Sequence, residues 1–573
     1  MAETSPPAAC RPILGGGEES ARCVAILHSR LQAASSEPMT IQLYDSVSRT
    51  KRPLNPLQPG KVGMYVCGPT VYDDCHVGHL MGPVVFDTVA RWLMARGHEV
   101  RFVINITDID DKIINRAIES GEDWSAIAER YTAQYLGFLK ELSVVTVTDH
   151  PRCSEYVQAM VDFIADLVAG DMAYQASDGV YFDVSQHEGY GKLSGRKLDD
   201  MLAGARIQAS EGLRHPADFA LWKNVKPGEP SWESPWGPGR PGWHIECSVM
   251  SSQLLGRTFD IHGGGDDLKF PHHENEIAQS EAHGDGYARH WMHNGLIQYE
   301  GRKISKSDPR MQEESFSQQF QARWLLDRFG PSAVRFFLLR TPYGRPVDFG
   351  PKVLDGAQKG LIRALKLLAP VLDQESDRDL EAICAVPLEE NLDKARASFC
   401  TAMDDDFNTG EAIAQLFTLA RDLREVPEEA RTPGLEVLRD LGRILGLFQL
   451  GDTGLGEGLG EGGDQALLGK VLGALLSVRE TARSAGEFAT ADGVRDLLVA
   501  QGVEVSDSAE GAGWSVGSGG APDLEGLLNG AMDLREAARE RGDYATGDGI
   551  RDKLGEVGVS VQDAAGRSTW TLA

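Results

Sequence analysis

The chain has 573 residues, too many for one hydrophobic core, so its length predicts three or four domains. Charged residues at 25% and hydrophobic residues at 42% exclude a fibrous or wholly disordered chain, and no apolar stretch approaches the ~20 residues that span a membrane. The net charge of −28, of which 31 acidic and 15 basic residues from Thr401 to Ala573 supply −16, excludes polyanion binding through a general positive field.

Residues 1–38 are rich in Ala, Pro, Ser and Gly without any period, and read as a disordered N-terminal extension. Its acidic residues exclude a transit peptide, and eight scattered cysteines with no signal peptide predict reduced thiols in a cytoplasmic protein. Val62 to Cys67 is a short apolar run before Gly68-Pro69, which predicts a buried strand. Pro83 to Ala95 places Val85, Val89 and Leu93 on one face ahead of Gly97, which predicts a helix with Pro83 in its first turn. Val100 to Asn105 predicts a second strand. Strand, helix, strand implies a parallel sheet of the dinucleotide-binding type, here within residues 39–300.

The mixed, Pro- and Gly-rich stretch at about 150–235 reads as an insertion, with strand signals returning at Thr258–His262 and Gly295–Tyr299. Residues 351–450 are helical by period: Leu361, Leu365 and Leu368 share a face, as do Ala412, Leu416 and Leu419. A Gly-rich linker follows at 451–464. The chain then repeats itself 56 residues apart, Val478–Asp496 matching Leu534–Asp552, Gly502 matching Gly558 and Trp514 matching Trp570. Units 465–516 and 523–573 each read as two short helices, a strand and a final Trp. The fold class is therefore α/β: a Rossmann-type parallel-sheet catalytic domain with an insertion, a helical bundle, and a small duplicated α+β C-terminal unit.

The loop after the first strand contains Cys67 and then His76-Val-Gly78-His79, two imidazoles where a strand gives way to a helix. A helix N-terminus offers unpaired N–H groups and positive potential for phosphate. Lys303-Ile-Ser-Lys306-Ser sits in a polar loop and clusters cations suited to a triphosphate and its pyrophosphate leaving group. Cys67, Cys247, and either His272 with Glu276 or His273 with Glu276 supply soft and hard donors that zinc tolerates together. Each is expected near a strand end of the one sheet.

CGPTVYDDCHVGH, NITDIDDKI (Asn105 to Ile113), GRPGWHIECS (Gly239 to Ser248), DIHGGGDDLKFPHHENEIAQS (Asp260 to Ser280), KISKS and MDDDFNT (Met403 to Thr409) closely resemble the cysteinyl-tRNA synthetases, a class I aminoacyl-tRNA synthetase family. The resemblance runs from about Met39 to the end. It implies ATP-dependent ligation of L-cysteine to tRNA(Cys) through a cysteinyl-adenylate, by a chain that acts as a monomer and not at a membrane. It implies one zinc ion on Cys67, Cys247, His272 and Glu276 that recognises the substrate thiolate, with Trp243, His262 and Thr107 around the cysteine. It assigns ATP, with Mg²⁺, to His76, Gly78, His79, Gly263, Gly264, Gly265, Asp267 and Lys306, and catalysis to His76, His79, Lys303 and Lys306. Residues 301–350 would hold the KISKS loop and a stem-contact region, and 351–450 a tRNA-binding bundle.

A cysteine ligase acting on an amino-sugar would use the same zinc and nucleotide motifs but would not need residues 403–573. Two departures from the family concern the KISKS region, with Ile304 for the usual Met, and Asp308-Pro-Arg-Met for the usual Gly-Asn continuation. The third is the doubled C-terminal unit. Arg539, Tyr544, Asp548, Asp563 and Trp570 match the family's anticodon-reading positions in the second copy, and Arg483, Phe488, Asp492, Asp507 and Trp514 in the first. Tyr544, with its hydroxyl, and the extra basic residue among Arg535, Arg539 and Arg541 favour the second copy as the reader.

Overall fold

The computed structural model describes residues 40–196, 213–284, 286–303, 308–449, 464–484, 487–508, 511–516, 524–555, 557–564 and 567–572. The expectations for residues 1–38, for residues 451–463 of the expected linker 451–464 and for Lys306 lie outside them; Asp464, the linker's last expected residue, instead opens a helix. The chain divides into two compact units, Met1–Asp452 and Thr453–Ala573.

The first unit opens with the hairpin β1 (Gln42–Asp45) and β2 (Thr50–Pro53), and continues through β3 (Lys61–Val66), α1 (Val77–Ala95) and β4 (Glu99–Ile104). Helices α2 (Asp111–Ser120), α3 (Trp124–Glu141) and α4 (Val157–Ala169) follow. An antiparallel sheet then forms from β5 (Ala173–Ala176), β6 (Gly179–Phe182), β7 (Phe219–Asn224) and β8 (Gly239–Pro241) in that order. Helix α5 (Trp243–Leu255) leads back to β9 (Phe259–Gly265), α6 (His272–Ala282) and β10 (Ala288–Asn294).

The central sheet has the order β10-β9-β3-β4, parallel throughout. Met64 of β3 stands level with Phe102 of β4 and Ile261 of β9, and all three are fully buried. β3 and β4 read as largely apolar runs because most of their residues are buried, whereas β9 and β10 bury Asp260, His262, His290 and His293 as well. Chain order reverses between β3 and β9, and at such a switch point a parallel sheet opens a crevice beyond its C-terminal strand ends.

Helix α1 starts six residues before the position that its apolar period suggested. Its first turn is closed by His76, whose Nδ1 accepts the Gly78 N–H at 3.1 Å, so Pro83 lies inside the helix and not in its first turn. The proline removes one interior N–H, a loss that the surrounding packing absorbs because the side chain is buried.

Beyond the sheet come β11 (Ile297–Tyr299), β12 (Arg302–Lys303), α7 (Pro331–Leu339) and β13 (Val347–Phe349). Asp308 caps a short 3₁₀ turn at Pro309–Gln312, accepting the Arg310 N–H at 3.0 Å, which is the path taken where the usual Gly-Asn is missing. The helical region is α8 (Pro351–Leu368), α9 (Leu380–Ala385), α10 (Glu390–Asp404), α11 (Thr409–Asp422) and α12 (Thr432–Ile444). Leu361, Leu365 and Leu368 are buried together, as their spacing predicted.

The MDDDFNT turn joins these helices to the sheet. Asp404 accepts from Trp92 Nε1 at 3.1 Å and from Arg96 Nε at 3.0 Å, both at the end of α1. Asp406, at φ 66°, accepts the Tyr44 N–H and the Tyr343 hydroxyl at 2.8 Å each.

The second unit comprises α13 (Asp464–Ser484), α14 (Phe488–Ala500), β14 (Val503–Ser508), β15 (Gly511–Val516), α15 (Leu524–Glu540), α16 (Tyr544–Gly555), β16 (Val559–Ala564) and β17 (Arg567–Leu572). Each copy is thus two helices and a β-hairpin, with Trp514 or Trp570 on the second strand, one strand more than the sequence reading gave. The copies are not separate beads. Val471, Leu472, Leu475, Val494 and Leu498 of the first share one core with Leu527, Leu528, Ala531, Ile550 and Leu554 of the second.

Candidate functional site

Three elements converge beyond the C-terminal ends of the central strands. Cys67 follows β3 directly, and its N–H donates to the Gly263 carbonyl of β9 at 3.1 Å. His272 and Glu276 lie one turn apart on α6, just after β9. Cys247 sits in the second turn of α5, and its side chain reaches the strand ends of the central sheet as expected, with Sγ 3.5 Å from Cys67 just past β3 and 3.8 Å from Asn105 Oδ1 just past β4. It reaches the site because α5 and α6 pack side by side.

The four donor atoms form a compact cluster. Cys67 Sγ lies 3.5 Å from Cys247 Sγ and 3.4 Å from Glu276 Oε1, while His272 Nε2 is 3.6 Å from Cys247 Sγ and 3.0 Å from Glu276 Oε1. Ligands held ~2.0–2.3 Å from a tetrahedral zinc stand roughly 3.3–3.8 Å apart; the three distances to the cysteine sulfurs fall within that range, and the His272–Glu276 distance of 3.0 Å is slightly shorter. A second set, Cys67, His262, His273 and Glu276, also brings its donor atoms within 4.8 Å of one another. There His273 Nε2 is 3.3 Å from Cys67 Sγ but 4.0 Å from Glu276, and its Nδ1 is engaged 2.8 Å from His293 Nε2. Cys247, His272, His273 and Glu276 are buried and Cys67 is half-buried.

The electrostatics of the pocket ask for a cation. Burial pushes the Cys67 thiol well up, and the neighbouring Cys247 and Glu276 add to it; burial likewise raises Cys247 to about 11. Burial also acts to raise Glu276, yet the His262 and His272 imidazoles and the Tyr287 hydroxyl hold its carboxyl below the ordinary value. His272 is lowered, first by burial, which leaves it as a neutral imidazole and a ready ligand. Two thiols this close to each other and to a carboxylate in a buried site lose their protons only beside added positive charge.

Around the cluster stand the residues expected to contact cysteine. Trp243, 36% exposed, stacks on the His272 ring at 4.2 Å and roofs the site. Thr107, just past β4, is buried, and its hydroxyl donates to Glu246 Oε2 at 2.8 Å. His262 is fully buried behind Glu276, its Nε2 2.7 Å from Oε2, and stacks on Trp291 at 4.3 Å. Its Nδ1 has no hydrogen-bond partner among the described residues.

Sequence reasoning missed several supports. His244 Nδ1 lies 2.9 Å from His272 Nδ1, Cys153 Sγ donates to Glu246 at 2.7 Å, and Asn105 Oδ1 accepts the Gly68 N–H at 2.8 Å. His244 and Glu246 lie inside the GWHIECS motif and Asn105 opens NITDIDDKI, so motif membership was the available signal.

The phosphate-type elements occupy the same edge. The His76 and His79 rings stack at 3.9 Å, and the His76 N–H donates to His79 Nδ1 at 3.2 Å, so each imidazole fixes the other at the α1 N-terminus. A Cβ at Gly78 would meet His76 Cε1 at 2.9 Å, which explains the glycine. At Gly263 a Cβ would strike the Phe86 ring at 2.3 Å, and at Gly264 it would strike His273 at 2.7 Å. These two glycines are buried and let α1 and α6 close on β9; Gly265 ends the strand, and the exposed Asp267 lies in the 3₁₀ turn Asp266–Lys269 that follows. Lys303 ends β12, and Lys306 falls outside the described residues.

In the second unit Tyr544 and Phe488 hold equivalent, exposed places at the starts of α16 and α14. Asp548 and Asp492 are exposed as well, and Trp570 Nε1 donates to Asn529 at 2.8 Å. Arg539 is half-buried on α15; the side chains of Asp563, Asp507 and Trp514 lie outside what is described. Arg535 corrects a sequence expectation. It is 1% exposed, its Nε donating to the Gly547 carbonyl at 3.1 Å, so it ties α15 to α16 and does not face a ligand.

Residues 53–359 match the family model of the class I (C) tRNA synthetase catalytic domain, and residues 398–449 match that of the DALR domain. The cysteine–tRNA ligase of Pelotomaculum thermopropionicum is 44% identical over 492 residues, covering 83% of this chain and 99% of the relative. That of Chromobacterium violaceum is 45% identical over 481 residues, with the same two coverages. That of the more distant Thermococcus onnurineus is 41% identical over 493 residues, again covering 83% and 99%.

Proposed function

The chain belongs to the cysteine–tRNA ligase family of class I synthetases, and from that premise we propose how its residues carry the reaction. The enzyme attaches cysteine to tRNA at the expense of ATP. The amino acid carboxylate attacks the α-phosphorus, pyrophosphate leaves, and a terminal ribose hydroxyl of the tRNA takes the acyl group from the adenylate. Because the substrate is its own nucleophile, positioning and charge stabilisation carry the catalysis.

Selection of cysteine rests on the Cys67, Cys247, His272 and Glu276 cluster, and the observation that carries this reading is the tetrahedral-like spacing of its four donor atoms. These residues would hold one zinc ion. When bound, it supplies a soft Lewis acid that favours a thiolate over the hydroxyl of serine. A missing coordination bond discriminates far more than a one-atom difference in pocket size, so no editing site is needed. Trp243 covers the outer face of the cluster, while Thr107 and His262 shape its wall through Glu246 and Glu276.

His76 and His79 hold the ATP phosphates at the α1 N-terminus, where N–H groups and helix potential favour anions. Gly78 keeps that surface clear, Gly265 and Asp267 border it, and Lys303 and Lys306 neutralise the departing Mg²⁺-pyrophosphate. Gly263 and Gly264 contribute by close packing that seats α1 and α6. The second unit reads the anticodon of tRNA(Cys) through Arg539, Tyr544, Asp548, Asp563 and Trp570. The enzyme works as a cytoplasmic monomer; no helix among the described residues is long and apolar enough to cross a membrane.

Metal analysis combined with cysteine-dependent pyrophosphate exchange tests the site. Cys247→Ser is expected to lose bound zinc and cysteine activation together. Full zinc occupancy with unchanged activation would refute the assignment.

A further inference from the structure

One pair of thiols is not absorbed by the aminoacylation chemistry. Cys384, at the end of α9, and Cys400, on the last turns of α10, place their sulfurs 4.0 Å apart. Among the described cysteines Cys384 is the one exposed to solvent, whereas Cys400 is buried. Arg396, one turn before Cys400, is itself buried and donates Nη1 to the Ile383 carbonyl at 2.9 Å and to the Val386 carbonyl at 2.6 Å. Its guanidinium therefore clamps the two residues that bracket Cys384, holding α9 against α10 with a fixed cation beside the exposed sulfur.

We propose that Cys384 and Cys400 form a peroxide-reactive dithiol that closes to an intramolecular disulfide. The exposed sulfur is the entry point. The hydrogen bond from the Cys400 thiol and the nearby Arg396 and Arg96 guanidiniums hold Cys384 below the usual thiol range, to about 7, against the opposing effects of burial and Asp393. A thiolate, not a thiol, is the nucleophile toward peroxide. Cys400 is pushed up by its hydrogen bond to Cys384 and by burial, so it remains the proton-bearing, resolving partner.

The steps balance. The Cys384 thiolate attacks the near oxygen of a peroxide, the O–O bond breaks, and the alkoxide or hydroxide leaves with the bonding pair. The resulting sulfenic acid condenses with the Cys400 thiol, forming the S–S bond and releasing water. The dithiol has given up two electrons and the peroxide has taken them. Closing from 4.0 Å to the ~2.05 Å of a disulfide needs about 2 Å of approach, shared between two χ1 rotations.

Other thiols are poorly placed for this chemistry. Burial pushes Cys75 up to about 12 and Cys153 well above the usual range, and Cys67 with Cys247 belongs to the metal cluster.

The test is a peptide map of the full-length, zinc-loaded enzyme, treated with hydrogen peroxide, alkylated with iodoacetamide and digested. The expected product is a peptide pair linked through Cys384 and Cys400, two hydrogens lighter than the separate peptides and restored by dithiothreitol. In Cys400→Ser the link is lost and dimedone traps a sulfenic acid on Cys384. If Cys384 stays fully alkylatable after peroxide, or is oxidised with no linked peptide, the proposal is overturned. The wild-type map decides this even if the variant fails to fold.

Discussion

His244 Nδ1 and His272 Nδ1 face each other at 2.9 Å, so the two rings share one proton across that contact. His272 turns Nε2 toward Cys247 and Glu276, and to leave Nε2 free as a ligand it must carry its proton on Nδ1 and donate it to His244. Burial and the neighbouring His272 keep His244 well below the ordinary imidazole range, so it stays neutral and able to accept. His244→Leu is then expected to weaken metal retention about 10- to 100-fold, read by the rate of zinc release to a chelator. The KM for cysteine should rise while that for ATP holds.

Gly78 tests the phosphate end. The Cβ of Gly78→Ala would sit 2.9 Å from His76 Cε1 and push that ring off the α1 N-terminus. Loss of a helix cap costs about 1 kcal/mol, and if that cost falls on ATP positioning, pyrophosphate exchange should fall roughly fivefold, with little change in bound zinc. An unchanged exchange rate would show that the His76 ring position does not matter to ATP.

The Asp87–Arg335 pair makes the stability of the first unit pH-dependent. Both side chains are fully buried, and Arg335 also donates to the Leu445 carbonyl at 2.9 Å and the Leu142 carbonyl at 2.9 Å, binding α1, the end of α3 and the end of α12 together. Burial alone would raise Asp87, but Arg91 and Arg335 bring it down from 3.8 to about 2. A carboxyl lowered in the folded state stabilises fully above its unfolded value and loses that contribution as pH falls toward the folded one. Some 2 kcal/mol should therefore disappear between about pH 4 and pH 2. Arg335→Met, which leaves Asp87 buried with only part of its cationic partnership, should cost about 3–5 kcal/mol in urea unfolding at neutral pH.

The shared core of the second unit dictates how anticodon reading is probed. Removing the second copy would strip Leu527, Leu528 and Ile550 from Leu472, Leu475 and Val494, so truncation would unfold the first copy as well. Point changes at the exposed aromatics avoid this. Tyr544→Ala should raise the KM for tRNA(Cys) at least severalfold, since base stacking is worth ~1–3 kcal/mol, and leave adenylate formation intact. Phe488→Ala should do less. The reverse order would make the first copy the reader.

Much of this was legible in the sequence because the chemistry sits in contiguous motifs. HVGH, GWHIEC and PHHENE each carry donors at fixed spacing, and β3 and β4 betray themselves by largely apolar runs. What stayed hidden arises from packing between distant segments. No local pattern tells that Cys247 reaches Cys67 from a helix, that Gly263 is dictated by Phe86, or that Arg535 points into a core. The fused C-terminal core was hidden for a related reason: a repeat in sequence does not say whether its copies pack as neighbours or as one body.

Charging of a tRNA(Cys) transcript with cysteine, with serine as the control and zinc-stripped protein alongside, tests the central claim most directly. The expected result is that the zinc-loaded enzyme charges cysteine at least ~10⁴-fold more efficiently than serine, and that stripping the metal abolishes cysteine charging until zinc is restored. Comparable charging of serine, or full cysteine charging by the metal-free protein, would contradict it.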